Sequence, residues 1–209
     1  MKFFEKKSGL IAGILTLIML PVMNSAAMTD KDTAIQDKSR RISKQEWERA
    51  RNYFTDTVLV NQHGKNVRFY SDVLDGRVVI MNVMYTDCKG SCPLTTKMMT
   101  QLKERLGKRF GKEIQFVSIS NNPDKDTPES LTEFAKKQHA LSEGWSFLTG
   151  DKADINKIIS KLGFFSKNYE EHTSLLVAGN TRTGHWIKIK PGTPLPAIVI
   201  KLTTLADEG

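Results

Sequence analysis

The two cysteines of the chain, Cys88 and Cys92, lie four positions apart. If residues 89–91 between them are helical, the two sulfurs share one helix face, and Gly90 also lets the segment bend. Either way, the sulfurs can approach closely enough to hold one metal ion or to form a disulfide bond. Two thiolates prefer soft cations, and Cu(I) is the soft ion best suited to sulfur at low coordination number. The pair therefore predicts a copper site or a redox centre.

A structural zinc site would need four protein ligands, and a fourth strong candidate is hard to find in this sequence. A copper site with three ligands needs only one residue besides the cysteines, and a histidine at the end of another strand is suited to this role. His172 directly precedes a predicted strand at residues 174–178. His185 would project from the opposite end of the predicted strand pair, so we favour His172. His63 in a predicted turn and His139 near a predicted helix end are both expected to be solvated.

Methionine thioethers also bind Cu(I), and four methionines lie close to the cysteine pair in the sequence. Met81 and Met84 fall in a predicted core strand, whereas Met98 and Met99 fall on a predicted helix. Filling the core is the more common role of methionine in such positions. We therefore expect these side chains to pack and not to bind metal.

The elements that would position the cysteines are predicted from hydrophobic periodicity. Residues 77–84 are nearly all apolar, as expected for a central parallel strand covered on both faces. The cysteine motif follows this strand directly, and residues 94–110 then have helical character. A second buried strand is predicted at residues 114–119.

The remaining segments predict further helices and strands on both sides of this unit. Ser43 and Glu46 form a capping box that opens a short helix, and Asp151 caps a helix that ends at Gly163. The last apolar segment is consistent with either a strand or a helix. The other predictions are a hairpin (58–60 with 67–70), a helix with Pro128 at its first position (to about 139), a strand (145–148) and an antiparallel pair (174–178 with 185–189).

Strands that alternate with helices predict an α/β protein with a mostly parallel sheet covered on both faces. The order of elements, with a cysteine motif after the first central strand, is a thioredoxin-like plan. We therefore expect a central mixed sheet flanked by helices, with an N-terminal β-hairpin. In open α/β sheets, functional groups collect at the carboxyl ends of the strands, which is where the cysteine motif falls.

The N-terminus is typical of an export signal. Three lysines against one glutamate precede an apolar run at residues 10–23, and small residues follow up to Ala27. The alternative is an uncleaved anchor, although the run is shorter than the about 20 residues that span a bilayer. The sequence thus divides into a signal (1–27), a polar tether with a short helix (28–54) and a copper-binding domain (55–209). This predicts a periplasmic or other extracytoplasmic location, with the inner membrane contacted only through such an anchor.

Export changes the interpretation of the cysteines. Outside the cytoplasm, two nearby thiols are oxidised, kept reduced by a dedicated system or occupied by metal. A plain structural disulfide, or two small buried residues, remains the simpler interpretation of Cys88 and Cys92. Their position at a strand-to-helix junction of an exported chain favours a functional pair.

Composition excludes several classes of function. Of 209 residues, 39% are hydrophobic and 26% are charged, so the chain should fold around a core and is neither collagen-like nor a multi-span membrane protein. The net charge of +8 is spread along the sequence and is not interleaved with aromatic residues. A solvated basic surface therefore accounts for the charge better than a nucleic-acid groove does.

Five segments of the chain resemble, in the same order, the Sco/SenC family of copper-binding assembly proteins. The Cys-x₃-Cys-Pro motif alone is moderately specific, and its combination with the downstream segments is far more so. The segments, which cover roughly residues 55–190, are YTDCKGSCP (85–93), FVSI (116–119), DTPE (126–129), FLTG (147–150) and EHT (171–173).

The resemblance implies a thioredoxin fold in which Cys88, Cys92 and His172 bind one copper ion. It also implies that the partner is a recipient copper protein, such as the cytochrome c oxidase subunit that holds the dinuclear copper centre. One position departs from the family pattern: Asn122 stands where the family often has an aspartate. This puts Cu(II) handling or partner recognition in question more than Cu(I) binding. Asp87 beside Cys88 would compensate in part, but a solvated surface carboxylate is the better interpretation of this residue.

Two alternative functions share the fold. A thiol–disulfide oxidoreductase would use Cys88 and Cys92 as its redox-active pair and would reduce cysteines of a partner protein. Reductases of the thioredoxin type commonly have Cys-x₂-Cys and a cis-proline at the place that His172 and Thr173 occupy here, so both departures favour metal. A peroxiredoxin-like peroxidase is disfavoured, because Thr86 lies two residues before Cys88 and not three. Whether the protein is an enzyme therefore stays open.

Overall fold

The structure is a computed structural model that describes residues 42–164 and 174–208. The predicted signal (1–27), the polar tether up to residue 41 and His172 lie outside the described residues. Within the described ranges, no helix has the length and apolar character needed to cross a bilayer.

Five helices and seven strands make up the described part of the chain. The helices are α1 (Lys44–Phe54), α2 (Ser91–Leu106), α3 (Pro128–Lys137), α4 (Lys152–Leu162) and α5 (Leu195–Asp207). The strands are β1 (Val58–Asn61), β2 (Asn66–Arg68), β3 (Val78–Met84), β4 (Ile114–Ser120), β5 (Trp145–Thr149), β6 (Leu176–Asn180) and β7 (His185–Ile189).

All seven strands form one mixed sheet in the order β2-β1-β5-β4-β3-β6-β7. Strands β3, β4 and β5 are parallel to one another, as expected for strands connected through helices. β1 and β2 form the predicted antiparallel hairpin, and β6 pairs with both β3 and β7 in antiparallel fashion. The predicted mixed sheet with an N-terminal hairpin is confirmed.

The central strand β3 is buried along its whole length because each face of the sheet carries its own core. Val78 and Ile80 point to the core formed with α2, α3 and α5. Val79 and Met81 point to the core formed with α1, α4 and the segment after β2. Alternation along the strand thus explains why the sequence of β3 is a continuous apolar run.

The predicted starts of α1, α3 and α4 are confirmed. Ser43 and Glu46 form the reciprocal capping box at the start of α1. The Thr127 side chain caps α3 ahead of Pro128, and the Asp151 carboxylate accepts from two N–H groups of α4. Gly163 ends α4 with a φ of 76°, a conformation that glycine adopts without steric cost.

Several boundaries differ from the predictions, and β6 (Leu176–Asn180) lies two residues later than the predicted strand 174–178. β2 ends at Arg68 and a π-helical turn (Phe69–Leu74) follows. Phe69 and Tyr70 are both fully buried in the same core, whereas consecutive residues of a strand point to opposite faces of the sheet. α2 begins earlier than expected, at Ser91, and ends at Leu106. The C-terminal segment is a helix, and its buried residues follow a helical period (Ile198, Leu202, Leu205, Ala206).

Helix α1 packs on the domain, as predicted. Phe54 is only 7% exposed, and its ring centroid lies 4.6 Å from that of Trp186 on β7. Just before the helix, the Ile42 N–H donates to the Arg182 carbonyl at 3.0 Å. Arg182 lies in the turn between β6 and β7, so the chain enters the described fold beside this turn.

Candidate metal and thiol site

The two cysteines lie at the carboxyl end of β3, as the sequence predicted. A short loop leads from Met84 to Gly90, and α2 then begins at Ser91. Cys92 is in the first turn of α2, whereas Cys88 precedes the helix, so the pair does not share a continuous helix face. Cys88 is 7% exposed and Cys92 is 1% exposed. The site is therefore almost closed to water.

Local backbone geometry brings the two thiols together. The Cys92 N–H donates to the Cys88 sulfur at 3.4 Å, which satisfies one of the free N–H groups at the helix start. The Cys92 thiol donates a second hydrogen bond to the same sulfur. Both cysteines are free thiols, so the structure is that of the dithiol form.

The Cys88 sulfur is surrounded by donors that favour its thiolate. Burial opposes ionisation, but hydrogen bonds from the Cys92 thiol, the N–H groups of Cys92 and Gly90 and the Tyr85 side chain outweigh it. The pKa of Cys88 consequently lies below its ordinary value. Cys88 is thus the thiol that ionises first, and thiolate is the form that binds metal or attacks a disulfide.

Cys92 has the opposite character. Burial raises the pKa of the Cys92 thiol well above its ordinary value, and the hydrogen bond it donates to Cys88 adds to this. The charges of Cys88 and of the Asp126 carboxylate act in the same direction. The two thiols are therefore unequal: one is prone to ionise and the other retains its proton until a cation displaces it.

Asp126 is a buried acid that the sequence analysis treated only as part of a matching segment. Its carboxylate, 2% exposed, accepts hydrogen bonds from Thr86 in the cysteine loop and from Ser120 at the end of β4. The sequence did contain a signal for this contact. Because Thr127 is the cap of α3, the carboxylate of the preceding Asp126 is not used in capping and is available to bond another part of the fold. Its partner Thr86, forty residues earlier in the chain, could not be inferred from local pattern.

Asn122 and Asp87 are the two positions at which the sequence raised the question of negative charge near the site. Asn122, at the position of the family aspartate, is 9% exposed, and its N–H donates to the Ser120 hydroxyl at 3.1 Å. Asp87 is exposed, as expected for a solvated carboxylate. The buried negative charge near the thiols is thus carried by Asp126.

Of the two candidate histidines, only His185 is in the part of the chain that the structure describes. His172 lies outside the described residues. The register of β6 on β3 pairs Asn180 with Val78 and Val177 with Met81, so β6 begins toward the carboxyl end of β3. His185 is at the other end, where its Nδ1 lies 2.8 Å from Glu208.

In residues 42–164 and 174–208, no group of three or more His, Cys, Asp and Glu side chains has the arrangement of a metal site. His63 and His139 are both exposed, as predicted. Met81, Met84 and Met99 are fully buried, and Met98 packs against the core, so the prediction that the methionines fill the interior is confirmed.

Comparison with known proteins gives a consistent result. Residues 46–185 match the SCO1/SenC family. The SCO1 protein homolog of Bacillus subtilis is 37% identical over 90 residues, which is 43% of this chain and 45% of that protein. The chain spans about half the length of the curated relatives that it matches.

Two solved structures are similar over most of the chain. BsSco, described as a member of the Sco family of cytochrome c oxidase assembly proteins and as having a disulfide switch, is 25% identical with a TM-score of 0.63. The match covers 74% of this chain and 93% of BsSco. ScoI of Bradyrhizobium japonicum, solved with copper bound, is 22% identical with a TM-score of 0.59 over 71% of this chain and 96% of ScoI. The fold is thioredoxin-like, and the chain belongs to the SCO1/SenC family.

Proposed function

We propose that this protein is a copper metallochaperone. The thiolates of Cys88 and Cys92 and the imidazole of His172 bind one copper ion, which the protein delivers to a copper enzyme such as the dinuclear copper centre of cytochrome c oxidase. The observation that carries the proposal is the 3.4 Å contact between the Cys92 N–H and the Cys88 sulfur, which sets two thiols side by side in a nearly dry site.

The donor chemistry of the pair fits Cu(I). Two thiolates are soft ligands, and Cu(I) is the soft ion best suited to sulfur at low coordination number. The surroundings are apolar, since both cysteines pack in the core that includes Met84 and Leu176. A site with three ligands is suited to transfer, because an incoming thiolate or imidazole can bind before a resident ligand leaves.

The assignment of His172 as third ligand is supported by the register of β6. Because β6 is antiparallel to β3, its first residue Leu176 lies toward the end of the sheet that carries the thiols, and Ser174 and Leu175 directly precede it in the chain. His185 is disfavoured by its distance from that end, since it pairs with Asn180, which in turn pairs with Val78 at the amino end of β3.

Further support comes from the relatives. BsSco is described as belonging to a family of cytochrome c oxidase assembly proteins, and Bradyrhizobium japonicum ScoI was solved with copper bound. The signal-like N-terminus of residues 1–27 supports an extracytoplasmic location, where such a recipient would be met.

The test is an anaerobic Cu(I) titration of the reduced protein against a chromophoric competitor. The wild type should bind one copper per chain. Cys88→Ser and Cys92→Ser should each abolish tight binding, because a single thiolate in this site cannot hold the ion. Stoichiometric, tight binding by either variant would contradict the proposal.

A pair of histidine variants tests the third ligand. His172→Ala should weaken Cu(I) binding and remove the nitrogen neighbour from the X-ray absorption spectrum, which should otherwise give two sulfurs and one nitrogen. His185→Ala is the matched control and should leave both the affinity and the spectrum unchanged. A spectrum that keeps its nitrogen in His172→Ala would exclude this ligand.

The inequality of the two thiols favours a second candidate function, a thiol–disulfide oxidoreductase. The Cys88 thiolate would attack a partner disulfide and release one partner thiolate. Cys92, after losing its proton, would attack the mixed disulfide and release the second, leaving a Cys88–Cys92 disulfide that an external thiol must reduce. Reductase activity retained in His172→Ala, with copper binding lost, would separate this function from copper transfer.

A further inference from the structure

We propose that Asp126 is a positioning residue. It fixes the loop that carries Cys88 against the end of β4, and this sets how closely the Cys88 sulfur approaches Cys92. The expected effect on copper affinity rests on the proposed function, whereas the expected effect on the Cys88–Cys92 disulfide does not.

The Asp126 carboxylate binds the cysteine loop at two points. One oxygen accepts from the Thr86 hydroxyl at 2.6 Å, and the Thr86 N–H lies 3.2 and 3.3 Å from the two oxygens. The second oxygen accepts from the Ser120 hydroxyl at 2.6 Å. The carboxylate thus joins the ends of β3 and β4 through side chains.

Asp126 is itself held rigidly. Its N–H donates to the Asn122 carbonyl at 3.0 Å, which closes the loop after β4. The next residue, Thr127, is the cap of α3. The Asn121 N–H donates to the Met84 carbonyl at 3.0 Å, which adds a backbone contact between the same two strand ends. The Asp126 carboxylate therefore binds the loop that carries Cys88 from a position that backbone hydrogen bonds hold in place.

Of the two cysteines, Cys88 is the one whose position depends on this loop. Cys92 belongs to α2, and the Thr96 hydroxyl binds its carbonyl at 2.8 Å. Cys88 lies outside the helix, two residues after Thr86, and its N–H makes only a long contact of 3.3 Å with the Tyr85 carbonyl. A shift of Thr86 would accordingly move one sulfur and leave the other in place.

The cost of burying the carboxylate is an independent argument for a specific role. A buried charge is unfavourable unless hydrogen bonds compensate it. In the described part of the chain, no lysine, arginine or histidine forms an ion pair with Asp126. Its hydrogen-bond donors are instead two hydroxyls and one N–H, and two of these three belong to Thr86.

The experiment uses variants on both sides of this contact. Thr86→Val is nearly isosteric and removes only the hydroxyl, whereas Thr86→Ser restores it. Asp126→Asn removes the charge and one acceptor. Asp124→Asn is the matched control, because Asp124 is in the same loop but is exposed and pairs with Lys152. For each full-length protein, we would measure the Cys88–Cys92 reduction potential in glutathione buffers, Cu(I) affinity by competition and thermal unfolding.

We expect a looser loop to lower the effective concentration of one thiol at the other. In Thr86→Val and Asp126→Asn the disulfide should form less readily, and Cu(I) affinity should fall about tenfold, the usual scale for residues that orient metal ligands. Thr86→Ser and Asp124→Asn should match the wild type in both measurements.

Two results would overturn the inference. The first is an unchanged potential in Thr86→Val despite lower thermal stability, because the contact would then be purely structural. The second is a change in reduction potential or copper affinity in Asp126→Asn that is absent from Thr86→Val, because charge and not position would then be responsible. Tighter copper binding by Asp126→Asn would have the same meaning. If the wild type binds no copper, the proposed function fails and the potentials alone decide this inference.

Discussion

The two ends of strand β3 are both fastened by a threonine, but by different chemistry. At the amino end, the Thr181 hydroxyl accepts from the Arg77 N–H at 2.9 Å and donates to the Leu74 carbonyl at 2.9 Å. At the carboxyl end, the Thr86 hydroxyl donates to the buried Asp126 carboxylate at 2.6 Å. The first contact is neutral throughout, and the second includes a charge.

This difference distinguishes the end of β3 that contributes to stability from the end that carries the thiols. Neutral hydrogen bonds to the backbone stabilise the end of a sheet without requiring a charge to be buried. A buried carboxylate is unfavourable unless it is hydrogen-bonded, and thiols with shifted pKa values, such as Cys88 and Cys92, cluster at functional sites. The amino end is thus a structural closure, whereas the carboxyl end contains the reactive groups.

The largest expected contrast between the two ends is in their response to pH. Because Cys92 retains its proton until copper displaces it, Cu(I) binding should release at least one proton. Apparent affinity should therefore rise by about tenfold or more per pH unit, or about 100-fold between pH 6 and 8. Competition titrations across this range measure it, and a flat profile would show that both thiols are already ionised.

The next contrast is between the two thiols themselves. Because hydrogen bonds lower the pKa of Cys88 and burial raises that of Cys92, iodoacetamide should modify Cys88 at least about tenfold faster near neutral pH. Mass spectrometry of timed, quenched samples identifies the modified residue, with Cys92→Ser and Cys88→Ser as matched references. Equal rates would mean that the thiols are equivalent in solution.

A smaller effect is expected at the amino end. Thr181→Val removes a hydroxyl that bonds Arg77 and Leu74, and should lower the free energy of unfolding by about 1 kcal/mol. Copper affinity and disulfide potential should not change, because the contact lies at the far end of β3. Urea unfolding measures the expected loss of stability, and Cu(I) competition measures copper affinity. A loss of copper affinity would show that the two ends of β3 are coupled.

The smallest effect is expected for the surface pair His185–Glu208. His185→Gln removes a contact of 2.8 Å between two partly exposed side chains, which should alter the free energy of unfolding by less than about 1 kcal/mol. Thermal unfolding at low and high salt measures it. A larger loss would indicate that this pair fastens the C-terminal helix to the sheet.

Most of the fold could be predicted because local patterns determine it. The apolar run of β3, the capping box at Ser43 and the left-handed stop at Gly163 are all local signals, and each is confirmed. The boundaries that differed lie where tertiary packing overrides local pattern. The clearest example is the π-helical turn Phe69–Leu74, which buries two consecutive aromatic residues.

The site was predictable in part. The motif after β3 located both cysteines, but the sequence could not reveal which thiol ionises first, since this depends on N–H groups and burial in the folded chain. Nor could it reveal contacts between distant residues. Asp126 bonds Thr86 across forty positions, and Ser118 bonds Asn82 across thirty-six. The role of His172 stays a prediction.

The route by which the chain enters the fold has a geometric consequence. Ile42 bonds Arg182 in the turn after β6, and this turn lies beside the amino end of β3. The thiols, at the carboxyl end of β3, therefore lie at the opposite end of this strand from the point where the chain enters the described fold. If the residues before Ile42 attach the protein to a surface, the proposed copper transfer would take place on the side of the domain that faces away from it.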